Sequence, residues 1–204
     1  MRYYIADLHF FHAAMNDHMD CRGFNNVEEM NEYMIAKWNG KVRRNDEVVI
    51  IGDLSWGKSE ETNSLLKRLN GTLYLIQGNH DRIIFDKKTD ISRFKWVKPY
   101  EEISDNKRRV ILCHYPIPFY NGQYRLDKEG NPKTYMLYGH IHDTTDQKLL
   151  DQFQEMIRNT VTINMQGEKQ KIPCNMINCF CGYSDYEPLT LDEWIELKQK
   201  RSMG

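Results

Sequence analysis

The chain has 204 residues, and 28 Lys and Arg against 29 Asp and Glu leave a formal charge of −1. No global electrostatic footprint for nucleic acid or an acidic membrane surface exists, so any such contact must be local. The longest wholly apolar stretches, such as residues 48–52, are strand-sized, far short of the ~18–20 residues of a membrane-spanning helix. Met1-Arg2 runs straight into Tyr3-Tyr4-Ile5 with no apolar leader. One domain over residues 1–204, cytoplasmic and with no membrane contact, is therefore expected.

In chain order, residues 3–6, 48–51, 73–77, 110–113 and 136–138 are short β-branched or aromatic runs bounded by polar residues or glycine, and they read as strands. Between the first two, residues 27–38 place Val27, Met30, Met34 and Trp38 on one helical face, with Asn26 as N-cap and Glu28 and Glu29 in the first turn. Residues 59–69 read as a second helix carrying Leu65, Leu66 and Leu69, stopped by Asn70-Gly71. Residues 145–158 carry Leu149, Leu150, Phe153, Met156 and Ile157 at helical spacing, and a hairpin is expected around Gln166-Gly167. Thr190-Leu191-Asp192-Glu193 is a capping box that opens a terminal helix. This alternation favours an α/β fold with helix-covered sheets.

The cysteines are Cys21, Cys113, Cys174, Cys179 and Cys181, an odd number without zinc-ribbon spacing. Cys179 and Cys181 would point to opposite faces of a strand, so reduced, structural thiols are expected.

In α/β sheets, ligands bind beyond the carboxyl ends of the strands. Here those ends run into Asp7-Leu8-His9, Gly52-Asp53, Gly78-Asn79-His80-Asp81, His114 and Gly139-His140-Ile141-His142, taking five of the seven histidines. A mixed set of imidazole, carboxylate and amide donors suits Mn, Fe or Zn rather than Ca. Seven ligands exceed the needs of one ion. They suit two ions about 3.5–4 Å apart with a carboxylate bridge and a bridging water of lowered pKa, an arrangement for in-line attack on phosphorus.

These five blocks, in this order, resemble the calcineurin-like metallophosphoesterase superfamily. The resemblance runs from about Tyr4 to His142, and residues 178–182 with 188–193 look like the family's closing strand and helix. It implies two mixed β-sheets packed face to face and flanked by helices. It also implies Asp7, His9 and His142 on the first ion, Asn79, His114 and His140 on the second, and Asp53 bridging. His80 would be the general acid or oxyanion-stabilising group, oriented by Asp81. Through Asp7-Leu8-His9-Phe10-Phe11-His12, Arg22-Gly23-Phe24, Glu29-Met30 and Trp38-Asn39 the chain looks like small bacterial and phage phosphoesterases of unassigned substrate. Protein phosphatases of the superfamily follow Gly-Asp with an Asp-Arg-Gly run. Here Asp53 is followed by Leu54-Ser55-Trp56-Gly57-Lys58, which argues against a phosphoprotein substrate.

The expected function is hydrolysis of a phosphate ester by a metal-bridging hydroxide. Few cations adjoin the blocks: Arg82 and Lys58, with Arg22 more distant, so a phosphodiester is expected over the more charged monoester. The alternatives are a phosphomonoesterase, a nuclease, or a non-catalytic scaffold on the same fold. Arg22, His12 and Arg82 are candidate substrate contacts, though Arg22 serves equally as an ordinary salt bridge. Phe10, Phe11, Trp56, Tyr115, Phe119 and Tyr120 flank the blocks as packing groups or stacking surfaces. Residues 82–109 hold nine Lys and Arg against five Asp and Glu, a solvated face or a local groove for a phosphate backbone. Residues 121–134 read as a loop or hairpin at the rim of the site. No partner protein is indicated.

Overall fold

The structure, a computed structural model, describes residues 1–203. The strands β1 (Arg2–Ile5), β2 (Glu47–Ile51), β3 (Thr72–Ile76) and β4 (Phe94–Lys98) form a parallel sheet in that order. A second sheet has the order β10 (Met176–Asn178), β7 (Thr134–Tyr138), β6 (Arg108–Cys113) and β5 (Tyr100–Asp105). Its first three strands are parallel and β5 is an antiparallel edge.

Because side chains alternate along a strand, each sheet buries two faces. Tyr4, Val49, Ile51 and Ile76 of the first sheet meet Val110, Leu112, Leu137 and Ile177 of the second in a core between the sheets. The alternate residues Ile5, Val48, Ile50 and Leu75 pack on α1 (Val27–Lys41) and α2 (Ser59–Arg68) through Met30, Met34, Trp38 and Leu66. On the far side Ile111, Met136 and Tyr138 face α3 (Thr145–Asn159) through Leu150, Phe153 and Ile157. Leu149 and Met156, assigned to the same stripe by spacing, are exposed, since they lie on the flank of α3 away from the sheet. The result is two sheets face to face with helices outside. Among the described residues no helix is long and apolar enough to cross a membrane.

Local chemistry agrees with these elements. Asn26 accepts the Glu29 amide at 2.8 Å and starts α1. Thr190 and Glu193 satisfy each other's amides at 2.8 and 3.3 Å and start α4 (Leu191–Met203), whose Trp194 enters the core between the sheets. A hairpin of β8 (Val161–Ile163) and β9 (Lys169–Lys171) turns at Gly167.

The first strand has a seam with the last part of the chain. The Ala6 amide donates to Cys179 at 2.8 Å, the Cys181 amide donates to Ala6 at 3.0 Å, and Tyr4 and Leu189 exchange bonds of 2.8 and 3.2 Å. Cys179 therefore enters the core between the sheets and Cys181 the core under the helices. All five cysteines are free.

One expectation about position is corrected. Residues 121–134 do not rim the site. Because β7 runs parallel to β6, the connection must carry the chain from the carboxyl end of β6 back to the amino end of β7. Its Leu126–Pro132 bridge consequently lies at the opposite edge of the sheet, where the Lys133 carbonyl accepts the Arg109 amide at 2.8 Å.

Candidate metal centre

Each block turns sharply at its strand end. Asp7, His9, Asp53, His140 and His142 all have left-handed backbones, with φ of 59°, 49°, 55°, 72° and 45°. Non-glycine residues held this way cost about 1–3 kcal/mol each and cluster at functional sites. The turns aim side chains from β1, β2, β3, β6 and β7 at one point. Two glycines make that convergence possible. A Cβ on Gly52 would sit 2.2 Å from His114 Nδ1, and one on Gly78 would sit 2.2 Å from Asp53 Oδ1.

Asp7, His9 and His142 offer donor atoms within 4.8 Å of one another, as do Asp7, Asp53 and His114. The Asn79 Oδ1 atom lies 2.9 Å from both His114 Nε2 and His140 Nδ1. Asp53 stands between the two groups: its Oδ2 is 3.5 Å from His9 Nε2 and 3.4 Å from His114 Nε2, while its Oδ1 accepts the His80 amide at 2.8 Å. The structure thus gathers Asp7, His9, Asp53, Asn79, His114, His140 and His142 in one place. Asp7 Oδ2 and His9 Nε2 are fully buried and have no hydrogen-bond partner. Such orphans are costly in a protein interior, and a cation satisfies both. The imidazole, carboxylate and amide donors fit Mn, Fe or Zn.

Electrostatics reflect the crowding. Burial raises the Asp7 carboxyl to about 6, against the opposing pull of His142 and His114. Burial also raises Asp53, but its hydrogen bond to His114 and the charges of His114 and His9 hold it down at about 2. Burial lowers His114, yet the same Asp53 bond and the charges of Asp7 and Asp53 lift it to about 9. His9, buried and less well compensated, falls to about 2. Without metal, Asp53 and His114 form a carboxylate–imidazolium pair.

The surroundings correct two sequence-based roles. Arg22 is not a substrate clamp. Its side chain is only 1% exposed; it donates to the carbonyls of Leu8 and Asp7 at 2.7 and 3.0 Å and pairs with Asp20 at 2.8 Å. It braces the turn that holds Asp7. Asp81 does not orient the His80 ring. It is buried, and its carboxylate accepts the amides of Asp53, Leu54 and Gly78 at 2.9, 2.8 and 2.8 Å, tying the β2 and β3 turns together.

His80 itself is half-buried, its ring 5.6 Å from that of His9 and 4.9 Å from that of Trp56. His12 lies at the rim, stacked on Trp56, and Arg82 is exposed beside His80. Asp20 has no signal in the sequence, yet its Oδ1 lies 2.7 Å from His142 Nδ1.

The basic residues of 82–109 do not share one surface. Arg93 donates to the carbonyls of Leu66, Leu69 and Gly71 at the end of α2. Lys87 and Lys88 are exposed beside α2. Lys107, Arg108 and Arg109 line a groove with Arg125 and Lys133 at the amino end of β6, across the sheet from the metal centre.

A family model described as calcineurin-like phosphoesterase matches residues 3–172. The chain is 31% identical over 200 residues to the uncharacterized protein MJ1445 of Methanocaldococcus jannaschii, covering 97% of this chain and 91% of that one. It also superposes on the crystal structure of AQ665 from Aquifex aeolicus, a protein of unknown function, with a TM-score of 0.66 and 21% identity. That match covers 97% of this chain and 98% of the other, and it extends the likeness of fold over nearly the whole length.

Proposed function

The chain belongs to the calcineurin-like phosphoesterase family, and from that membership we propose that it is a binuclear metal-dependent hydrolase of phosphodiesters. The observation that carries the reading is the pair of buried, unpartnered atoms, Asp7 Oδ2 and His9 Nε2, inside a cluster of Asp, Asn and His donors. Asp7, His9 and His142 would hold one ion, Asn79, His114 and His140 the other, with Asp53 between them. When bound, such ions supply a water of lowered pKa and neutralise charge developing on the phosphoryl oxygens.

In the hydrolysis, the oxygen of water bonds to phosphorus and the bond from phosphorus to the leaving alcohol oxygen breaks. The electron pair stays on that oxygen, which takes up a proton. Among the described residues the His80 ring makes no hydrogen bond to a metal donor, while its backbone amide donates to the Asp53 carboxylate. That anchorage suits it to give or share the proton at the leaving oxygen. Asp81, by holding the Asp53, Leu54 and Gly78 amides, keeps the two turns in register, and Arg22 does the same beneath Asp7.

Preference for a diester follows from charge. With Arg22 buried under the site, Arg82 and Lys58 are the cations left next to the blocks, a thin supply for a phosphomonoester dianion. The test is kcat/KM for bis-p-nitrophenyl phosphate against p-nitrophenyl phosphate on manganese-loaded protein, with the diester expected to be faster. A monoester advantage of about tenfold, equivalent to ~1.4 kcal/mol, would overturn the diester preference. Failure to hydrolyse either compound with metals bound would leave a scaffold.

A further inference from the structure

We propose that the cavity beside His80 is a stacking subsite for a planar aromatic group, a nucleobase or an aryl ring, carried on the leaving half of the ester. This deepens the phosphoesterase reading and rests on it. The cavity has a volume of about 320 Å³ and is lined by Ser55, Trp56, Gly57, His80, Arg82 and Ile83. That size is at the small end for a ligand pocket, enough for part of a substrate.

Trp56 dominates its wall. The indole is 50% exposed, and its backbone is firmly held. The Trp56 amide donates to Phe10 at 2.9 Å, and buried Ser55 and Thr62 hydroxyls join at 2.8 Å on one side. On the other side Gly57 lies so close to Phe11 that a Cβ would fall 2.6 Å from its ring. Held this way, the indole presents a large ring of fixed position beside the cavity, a geometry suited to stacking a planar group.

One face of the indole is already used. The His12 ring stacks on it with centroids 4.2 Å apart and planes within 5°. His80 lies 4.9 Å away at an angle of 53°, so the indole stands next to the group assigned to the leaving oxygen. A substituent on that oxygen is thereby directed along Trp56.

Arg82 decides between an aromatic group and an alkyl chain. Among the described residues its guanidinium has no hydrogen bond or ion pair, and it shares the cavity with Trp56. A nucleobase or a substituted ring offers this cation oxygen or nitrogen acceptors and a π face, neither of which an alkyl chain has.

The experiment is isothermal titration of the manganese-loaded protein with adenosine 5′-monophosphate, phenyl phosphate and ribose 5-phosphate, repeated on Trp56→Ala and Trp56→Phe. The three probes share a phosphate and differ in their ring. Stacking of a base on an aromatic side chain is worth about tenfold or more in affinity. At least one aromatic phosphate should therefore bind that much more tightly than ribose 5-phosphate. The advantage should vanish in Trp56→Ala and return in Trp56→Phe. Preference for the nucleotide alone assigns a nucleobase; preference for both, or for phenyl phosphate alone, assigns a general aryl site. Equal affinity for all three probes, no binding of either aromatic phosphate, or an advantage that survives Trp56→Ala, overturns the subsite. Hydrolysis of bis-p-nitrophenyl phosphate by the same preparation separates the two readings. Hydrolysis without aromatic preference defeats the subsite alone, and aromatic preference without hydrolysis defeats the phosphoesterase reading.

Discussion

His142 Nδ1 lies 2.7 Å from Asp20 Oδ1, and the other oxygen of that carboxylate accepts from Nε and Nη2 of Arg22 at 3.0 and 2.8 Å. With Nδ1 committed to Asp20, the nitrogen left facing Asp7 is Nε2, 3.8 Å from Oδ1. A carboxylate behind an imidazole fixes its tautomer, its orientation and its basicity toward a metal.

Asp20→Asn should therefore weaken metal binding by about 10–100-fold. Arg22 keeps its bonds to Leu8 and Asp7 in the variant, so thermal unfolding should remain cooperative. Chelator competition gives the affinity. An unchanged value would reduce Asp20 to a brace for Arg22.

Asp53→Asn keeps the size of the side chain and the acceptor for the His80 amide while removing one negative charge from between His9 and His114. Elemental analysis should find fewer than two ions per chain, with turnover lost in parallel. Two ions and near-native turnover would place the bridge elsewhere.

His80→Ala removes a ring that, among the described residues, makes no hydrogen bond to a metal donor. Metal content should stay at the wild-type value while turnover on a diester falls by roughly 10²–10⁴-fold, the range for loss of a general acid or base. Loss of metal together with activity would make His80 a structural residue.

Metal uptake should release protons. In the metal-free chain His114 is lifted to about 9 and Asp7 to about 6, and both must be deprotonated to donate to a cation. Affinity should rise with pH through the range between those values and fall away below about 6 as Asp7 protonates. Near pH 7.5, calorimetry in two buffers of different ionisation heat should detect proton release on metal uptake, with His114 among the sources. No release would remove His114 from the donor set.

The strand ends were readable because motif residues follow runs that can only be buried strands; residues 48–51 and 136–138 are apolar on both faces. Asp7 and Asp53 then converge through the parallel pairing of β1 and β2, and His114 joins them because the second sheet packs face to face on the first. The roles of Arg22 and Asp81 were not readable. Both depend on backbone groups far away in the chain, such as the Asp7 carbonyl and the Leu54 amide. A charged residue next to a motif looks the same in sequence whether it faces substrate or turns underneath. Asp20 was hidden for a related reason, since 122 positions separate it from His142. The strands β4 and β5 went unassigned because residues 91–105 are dense in charge and half-exposed, which blurs alternation.

The seam that joins Ala6 to Cys179 and Cys181 bears on how the protein is made. During synthesis the amino-terminal strand emerges first, yet the segment that completes its edge is translated about 170 residues later, at roughly 10–35 seconds' remove at about 5–20 residues per second. Until then, the Ala6 amide and carbonyl at that edge lack their partners. The donors themselves run from Asp7 to His142, so the last of them is translated before the segment that closes this edge.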